Sequence, residues 1–396
     1  MNAFRKLLEL PAGEKTRLGV EYTAPEIAQQ PAVWAKTINL LKTRRTEIIA
    51  FLQSAGMAGA KKSTVILTGA GTSEFIGNAL AGPMRELLGR EVISIPTTNL
   101  VTHARNTFVP GHDYTVISFA RSGNSPESLA TYKLVNKHAP AAKQIVITCN
   151  KDGALGQAAQ KAANALCLLL PDETNDRSLA MTSSFSSMVL AGLYLSLLTA
   201  KADAADAMLK LAQDGANRVM DVYGDLLHQF ASLKFSRAEF VGSGSLYGTM
   251  QECHLKMQEM TNGNVVCRYD TFLGVRHGPQ VFVNSDCIVI AGLASAPDVR
   301  RYELDLLREL SRKKQGCGTL VICDKATPEI QSLAAYVVEL FPNSPALDDK
   351  YRILTDVVVG QILGVFKSMA LGMKPDSPSP AGTINRVVQG VTIYDV

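Results

Sequence analysis

The chain has 396 residues, more than one compact core usually holds, so its length predicts two domains. Hydrophobic residues make up 46% of the chain and charged residues 19%, which is typical of soluble globular proteins. This composition excludes a disordered or a fibrous protein. The net charge is only +4, which gives no reason to expect nucleic acid or a membrane surface as a partner.

The cysteines and the N-terminus indicate the compartment. The seven cysteines are odd in number, form no C-x-x-C pair and lie mostly in apolar runs, which favours reduced core thiols over disulfides. Residues 1–14 lack the apolar core of a signal peptide. The most apolar stretch, 188–198, is shorter than the roughly 20 residues that span a bilayer. We therefore expect a soluble, cytoplasmic protein.

The first part of the chain combines helical and strand patterns. Residues 1–54 are predicted to form a helical extension, and short apolar runs separated by helical segments follow from residue 64. The strands predicted in this half are 65–68, 92–95, 115–119, 145–149 and 166–170. Strands that do not alternate in polarity, and that are separated by helices, predict a parallel sheet covered on both faces.

The pattern repeats after a long helical stretch over 183–230. The strands predicted in the second half are 239–242, 287–291, 319–323 and 336–340. Each half has a Gly-rich turn after its first strand, at 69–73 and 242–248. We interpret the chain as two tandem α/β domains with doubly wound parallel sheets, and place the domains at 55–205 and 206–396, the second ending in a C-terminal tail.

The first Gly-rich turn, Gly-Ala-Gly-Thr-Ser-Glu at 69–74, is predicted to connect a strand to a helix. Backbone N–H groups and the positive end of a helix favour phosphate at such a turn. Glu74 occupies the third glycine position of the dinucleotide-binding fingerprint, so the turn does not match that motif. A tight turn with a Ser/Thr cap explains these residues equally well.

A second polar loop, 118–127, follows the third predicted strand. Ligands of open α/β sheets bind beyond the carboxyl ends of the strands, where both loops are expected to lie. An N-capped helix explains Ser125 but neither Arg121 nor Ser122, so we favour a phosphate-binding site without a metal. The corresponding loop of the second half, 292–298, lacks the Ser-Gly pair, and we expect it to bind phosphate less well.

Candidate proton-transfer residues occur in the second half. Glu252, Lys256 and Glu259 are spaced to project from one face of a helix, although a solvated ion-pair face is the commoner explanation of such spacing. His277 lies in a Gly/Pro-bounded loop further along. A carboxylate and an imidazole together can move a carbon-bound proton and open a sugar ring. No His/Cys pattern supports a metal, and we expect neither metal nor cofactor.

Four segments, in this order, resemble the tandem sugar isomerase (SIS) domain family, which includes the isomerase half of glucosamine-6-phosphate synthase. Ala-Gly-Thr-Ser at 70–73 matches the family's C-G-T-S, and Ala-Arg-Ser-Gly-Asn-Ser at 120–125 matches S-Q-S-G-E-T. Glu-Cys-His-Leu-Lys-Met-Gln-Glu at 252–259 matches E-G-A-L-K-L-K-E, and Gly-Val-Arg-His-Gly-Pro at 274–279 matches E-L-K-H-G-P. The resemblance extends over residues 40–396.

The resemblance implies a sugar phosphate as the small-molecule partner. It implies that Glu259 is the base that removes a carbon-bound proton, supported by Lys256 and Glu252, and that His277 opens the ring from a partner subunit. This implies a homodimer or larger homo-oligomer. The residues assigned to phosphate or substrate binding are Gly71, Thr72, Ser73, Arg121, Ser122, Ser125 and Gln389.

The tail departs from the family pattern. The family's R-N-L-A-K-S-V-T carries a lysine that forms a Schiff base with a ketose, whereas Asn-Arg-Val-Val-Gln-Gly-Val-Thr at 385–392 has Gln389 there. An amino sugar avoids this requirement because its own nitrogen is on C2. The tail resembles the AgaS group of the family, which implies conversion of galactosamine 6-phosphate to tagatose 6-phosphate and ammonia. A tagatose-6-phosphate ketose/aldose isomerase and a non-catalytic sugar-phosphate sensor are the alternatives.

Overall fold

The structure, a computed structural model, describes residues 1–200, 204–388 and 390–394. Within them the chain forms two five-stranded parallel sheets flanked by helices, as predicted. The strands are β1 (Thr64–Thr68), β2 (Val92–Ser94), β3 (Tyr114–Ala120), β4 (Lys143–Thr148), β5 (Ala165–Leu169), β6 (Arg237–Val241), β7 (Val266–Asp270), β8 (Cys287–Gly292), β9 (Gly318–Cys323) and β10 (Tyr336–Glu339).

Helices occur before, between and after these strands. Their bounds are α1 (Ala3–Glu9), α2 (Ala12–Leu18), α3 (Thr23–Ala28), α4 (Gln30–Thr43), α5 (Arg45–Ser54), α6 (Thr72–Leu88), α7 (Thr97–His103), α8 (Pro126–His138), α9 (Ala154–Gln160), α10 (Ser183–Ala200), α11 (Ala204–Val222), α12 (Gly224–Ala231), α13 (Ser245–Met260), α14 (Phe272–Val275), α15 (Pro297–Lys313), α16 (Pro328–Leu333) and α17 (Asp349–Ala370). The first five helices confirm the predicted helical N-terminal region.

The two sheets have the same topology. Their strand orders are β2-β1-β3-β4-β5 and β10-β9-β8-β6-β7, which are identical when each is counted from its own first strand. In the first sheet β2 lies on one side of β1 and β3–β5 lie on the other, and in the second sheet β7 lies on one side of β6 and β8–β10 lie on the other. In folds of this order, the crevice at the carboxyl ends of the first and third strands is the usual place for a ligand. Each sheet has one such switch point, β1/β3 and β6/β8.

The chain divides into two compact units whose segments interleave along the sequence. The β1–β5 unit comprises Ala32–Asp176, Ser183–Ala207 and Gly382–Val396, and the β6–β10 unit comprises Met1–Pro31, Arg177–Thr182 and Met208–Ala381. The C-terminal tail thus belongs to the β1–β5 unit, although it follows the second repeat in sequence. The domain ranges 1–54, 55–205 and 206–396 stay a prediction.

The nine predicted strands are all present, with ends within two residues of those expected. The central strands form because they are short, mainly apolar runs whose side chains are buried; β3, for example, is buried along its whole length, whereas the edge strands β2 and β10 are only partly buried. Strand β7 is absent from the sequence prediction. It lies at the edge of its sheet and contains Arg268 and Asp270, so it lacks the apolar run that marks a central strand.

Helix α17 forms the centre of the β6–β10 unit and packs mainly against α13 and α12. Among the described helices it has the length and hydropathy of a membrane span, but 89% of its most apolar window is buried within the unit, as in a core helix. It also contains a buried ion pair. Arg352 and Asp356 are both fully buried and their side chains are 2.7 Å apart.

We expect Asp356→Ala to lower the free energy of unfolding by about 3 kcal/mol, because it leaves the buried guanidinium of Arg352 with fewer charge partners. Asp305 is a matched control, since it pairs with Arg308 at the same 2.7 Å distance but both side chains are about half exposed. Asp305→Ala should cost less than about 1 kcal/mol. Urea unfolding of both variants tests this; equal losses would contradict it.

Candidate functional site

The two predicted phosphate loops lie next to each other at the β1/β3 switch point. Strands β1 and β3 pair in parallel, with Thr68 opposite Ser118, so the loops that follow them leave the same edge of the sheet. After β1, Gly71 adopts φ 56° and ψ −126°, a conformation suited to glycine, and α6 begins with the buried residues Thr72 and Ser73. The structure thus brings together the two segments that the sequence analysis assigned to phosphate.

The loop after β3 is held in shape by two asparagines. Asn150 donates from Nδ2 to the carbonyl of Ser122 at 2.8 Å, and Asn124 accepts the N–H of Ala154 at 3.0 Å. The hydroxyl of Ser125 is 2.5 Å from that of Ser128. Sequence reasoning missed Asn150, although a polar residue directly after β4, at the same edge of the sheet, was an available signal.

Arg121 joins this loop to the C-terminal tail. Its side chain is buried, and Nη2 donates to the carbonyl of Arg386 at 2.7 Å. Arg386 in turn donates to the carbonyl of Asp176 at 2.7 Å and to Oδ1 of Asn175 at 2.6 Å. Contact between Arg121 and a phosphate stays a prediction. Gln389, the other tail residue assigned to the substrate, lies outside the described residues.

The β6/β8 switch point has the same turn but different side chains. Gly244 adopts the φ and ψ of Gly71, which confirms that the two Gly-rich turns correspond. Two positions after this glycine, however, the buried Leu246 stands where the first turn has Ser73. The second turn therefore lacks the hydroxyl that the first turn has at this place.

The chain's own carboxylates occupy the second switch point. In the loop after β8, the N–H of Ala294 donates to Glu303 at 2.7 Å and the N–H of Ser295 donates to Asp349 at 2.8 Å. Glu303 is buried, and burial raises the pKa of its carboxyl group. These carboxylates use N–H donors that a bound phosphate would need, which supports the expectation of weaker phosphate binding in the second half.

The predicted carboxylate–lysine face of α13 is a buried ion cluster. Nζ of Lys256 is 2.6 Å from Oε2 of Glu259 and 3.3 Å from Oε1 of Glu252. Lys256 and Glu252 are fully buried, whereas 24% of the Glu259 side chain is exposed. The face is therefore not a solvated ion-pair surface. Burial disfavours the ammonium form of Lys256, but the attraction of Glu252 and Glu259 outweighs it and raises the pKa of Lys256.

The loop with His277 is anchored at its sides, and the imidazole itself is exposed. The backbone N–H of His277 donates to the carbonyl of Gly274 at 3.0 Å. Arg276 and Gln280 both bind Glu309 of α15, at 2.9 and 3.1 Å. Within the described part of the chain, no ion pair or hydrogen bond joins the His277 ring to the α13 cluster, and no group of three potential ligands could hold a metal ion.

The chain is similar to proteins that are named as deaminases or isomerases of sugar phosphates. The family model for the SIS domain matches residues 60–198. A protein of Escherichia coli, D-galactosamine-6-phosphate deaminase AgaS, is 35% identical to the chain over 374 residues, which are 94% of the chain and 95% of that protein.

Solved structures extend this similarity. The tagatose-6-phosphate ketose/aldose isomerase of Escherichia coli has a TM-score of 0.83 and 32% identity, and the match covers 94% of this chain and 96% of that one. The C-terminal domain of glucosamine-fructose-6-phosphate aminotransferase from Francisella tularensis has a TM-score of 0.70 at 14% identity, covering 89% of this chain and 96% of that one. The latter likeness shows a shared fold.

We expect Arg121→Ala to loosen the C-terminal tail, because it removes the side-chain donor that binds the carbonyl of Arg386. Hydrogen exchange of the amides in 382–388, followed by mass spectrometry, should become about tenfold faster. Arg105→Ala, which changes an exposed arginine of the same unit, is the control and should leave this exchange unchanged. Unchanged exchange in Arg121→Ala would contradict the tail contact.

Proposed function

Because the chain belongs to the AgaS family of sugar isomerase (SIS) domain proteins, we propose that it converts galactosamine 6-phosphate into tagatose 6-phosphate and ammonia. The observation that carries this proposal is the α13 cluster, in which a buried lysine is held by two carboxylates and only Glu259 is partly exposed. A carboxylate in this setting can act as a base toward a carbon-bound proton. The enzyme is proposed to act in the cytoplasm.

The phosphate is assigned to the β1/β3 switch point. Ser73, Ser122 and Ser125 supply hydroxyl groups there, and the N-terminal ends of α6 and α8 supply N–H donors and a favourable dipole. The carboxylates at the other switch point disfavour a second phosphate. We therefore propose one phosphate per chain, bound by the β1–β5 unit.

Glu259 is the proposed base. Once the sugar ring is open, Glu259 removes the proton from C2 while O1 gains a proton, which gives an enolamine with a C1–C2 double bond. Glu259 then returns its proton to C1, and the nitrogen releases to water a proton equivalent to the one that O1 gained, so the product is an imine at C2 with a C1 alcohol. Lys256 and Glu252 hold the position and charge of Glu259 through these steps. His277 is proposed to open the ring, supplied by the partner in a homo-oligomer.

Water completes the reaction. It adds to C2 of the imine, the C–N bond breaks, and ammonia leaves as the C2 carbonyl of the ketose forms. The substrate's own nitrogen forms this imine, so no lysine is required from the protein. The presence of Gln389 at the place of the family's lysine supports this ending over one that forms a Schiff base with the protein.

A ketose/aldose isomerase is the second candidate. It is favoured by the similarity to the tagatose-6-phosphate ketose/aldose isomerase of Escherichia coli. The same proton transfer between C1 and C2 would serve a sugar phosphate without nitrogen. This candidate predicts interconversion of a ketose and an aldose phosphate and no release of ammonia.

We expect the purified protein, treated with EDTA, to release ammonia from galactosamine 6-phosphate, because the proposed steps use only side chains and water. A coupled ammonia assay, run in parallel with glucosamine 6-phosphate, measures this and the preference at C4. Absence of ammonia from both substrates, with interconversion of tagatose 6-phosphate, would favour the isomerase. Binding without any turnover would favour a sensor.

Glu259→Gln should lower kcat by about 10²- to 10⁴-fold, because the amide cannot accept the C2 proton. Substrate affinity should change little, since the phosphate is assigned to other residues. Gln258→Ala, which changes an exposed neighbour on the same helix, is the control and should keep the activity of the unmodified enzyme. Steady-state kinetics measures both; near-normal kcat in Glu259→Gln would refute its role as the base.

A further inference from the structure

A buried carboxyl group without a hydrogen bond lies inside the second sheet. Glu239 is fully buried in β6, and within the described residues neither of its side-chain oxygens has a hydrogen-bond partner. Glu239 is the third residue of β6, and Ile66 is the corresponding third residue of β1 in the first sheet. The catalytic steps proposed above do not use Glu239. The repeat therefore shows that an apolar residue fits this place in the fold.

The nearest charge to Glu239 is on the neighbouring edge strand. Nε of Arg268 is 3.9 Å from Oε2 of Glu239, and the two residues are opposite each other in the β6–β7 register. The same guanidinium binds Asp270 through Nη2 at 2.5 Å. Arg268 thus lies between a buried carboxyl on one strand and a partly exposed carboxylate at the end of its own strand.

Asp270 connects this pair to the loop that carries His277. Its Oδ1 accepts the N–H of Thr271 at 2.7 Å, and Oγ1 of Thr271 accepts the N–H of Gly274 at 2.9 Å. The carboxylate lies so close to Gly274 that a Cβ there would be 2.2 Å from Oδ1 of Asp270. The carbonyl of Gly274 accepts the backbone N–H of His277. A continuous series of contacts therefore runs from the sheet interior to His277.

We propose that Glu239 is a positioning residue that holds the 271–283 loop, and with it His277, through Arg268 and Asp270. The catalytic meaning of this role rests on the function proposed for His277, whereas the effect on the loop does not. Glu239 fixes the guanidinium from the interior side, and the guanidinium fixes the carboxylate around which the loop folds.

The proposed role of Glu239 in holding the loop differs from a contribution to the free energy of unfolding. Burial raises the pKa of Glu239 to about 7, although Arg268 opposes part of the rise. The pKa of Glu239 in the folded state exceeds the usual value of 4.5. Its contribution to the free energy of unfolding is therefore fully present below pH 4.5 and is lost as the pH rises through about 7. An ionised Glu239 thus destabilises the fold, and its benefit is expected in the order of the loop.

The test is hydrogen exchange of Glu239→Leu at about pH 8, where the carboxyl of the unmodified protein is ionised. We expect the amides of 271–283 to exchange about tenfold faster, while the Tm is equal to or above that of the unmodified protein. Glu329→Leu is the control: it also removes a carboxylate paired with an arginine, Arg308, but on the surface of the same unit. It should not change exchange in this loop.

A double-mutant cycle tests the route. If Glu239 acts through Arg268, then Glu239→Leu should add little in a protein that already carries Arg268→Leu. Glu239→Gln, nearly identical in shape, replaces Glu239→Leu if the latter does not fold. With galactosamine 6-phosphate as the substrate, the kcat of Glu239→Leu should be about tenfold lower than that of the unmodified protein, while KM stays nearly constant.

Unchanged exchange in 271–283, a uniform increase across the sheet, or fully additive effects in the cycle would each overturn the proposal. These readouts require no substrate. If the protein releases no ammonia, the proposed function fails, but the exchange of the loop still decides whether Glu239 positions it. If ammonia is released and the loop does not respond, only the positioning role fails.

Discussion

Backbone N–H groups at the carboxyl ends of parallel strands need acceptors, and the chain meets this need differently at its two switch points. At β6/β8 the acceptors are the carboxylates of Glu303 and Asp349. At β1/β3 the chain places hydroxyl groups, among them Ser73 and Ser122, beside a loop shaped by Asn150. Two sheets of the same topology therefore have different chemistry at the same place. Hydroxyl groups at β1/β3 can donate hydrogen bonds to an anionic ligand, whereas at β6/β8 the N–H groups of Ala294 and Ser295 already donate to the chain's own carboxylates.

The β6–β10 unit also contains a buried cluster of charged residues on α13. An ammonium group without exposure to water needs carboxylates around it, and Lys256 has two of them on its own helix. Because Glu252 is buried with it, only Glu259 remains partly exposed. The same unit contains the fully buried pair of Arg352 and Asp356 in α17, the helix that packs against α13. The helix with the proposed base is thus supported by a charged but densely packed core.

Much of this could be predicted from local sequence. Apolar runs without alternation marked nine strands, and the Gly-rich turns marked the start of each repeat, because both features depend on residues that are neighbours in the chain. Strand β7 was missed because Arg268 and Asp270 give an edge strand a polar pattern. The contact of Arg121 with Arg386 was also missed, since the two residues are 265 positions apart and nothing near either one indicates the other.

The sequence by itself determined the α/β class, the repeat and the segments that carry the candidate residues, since periodicity and turn residues act over a few positions. Only the tertiary structure decided which groups those segments meet. It placed Asp349 on the N–H of Ser295, 54 positions earlier, and it buried Glu239 beside Arg268. The physical reason is that burial and charge pairing depend on distance in space. A carboxylate in the sequence becomes an acceptor, a base or a positioning group according to what folds around it.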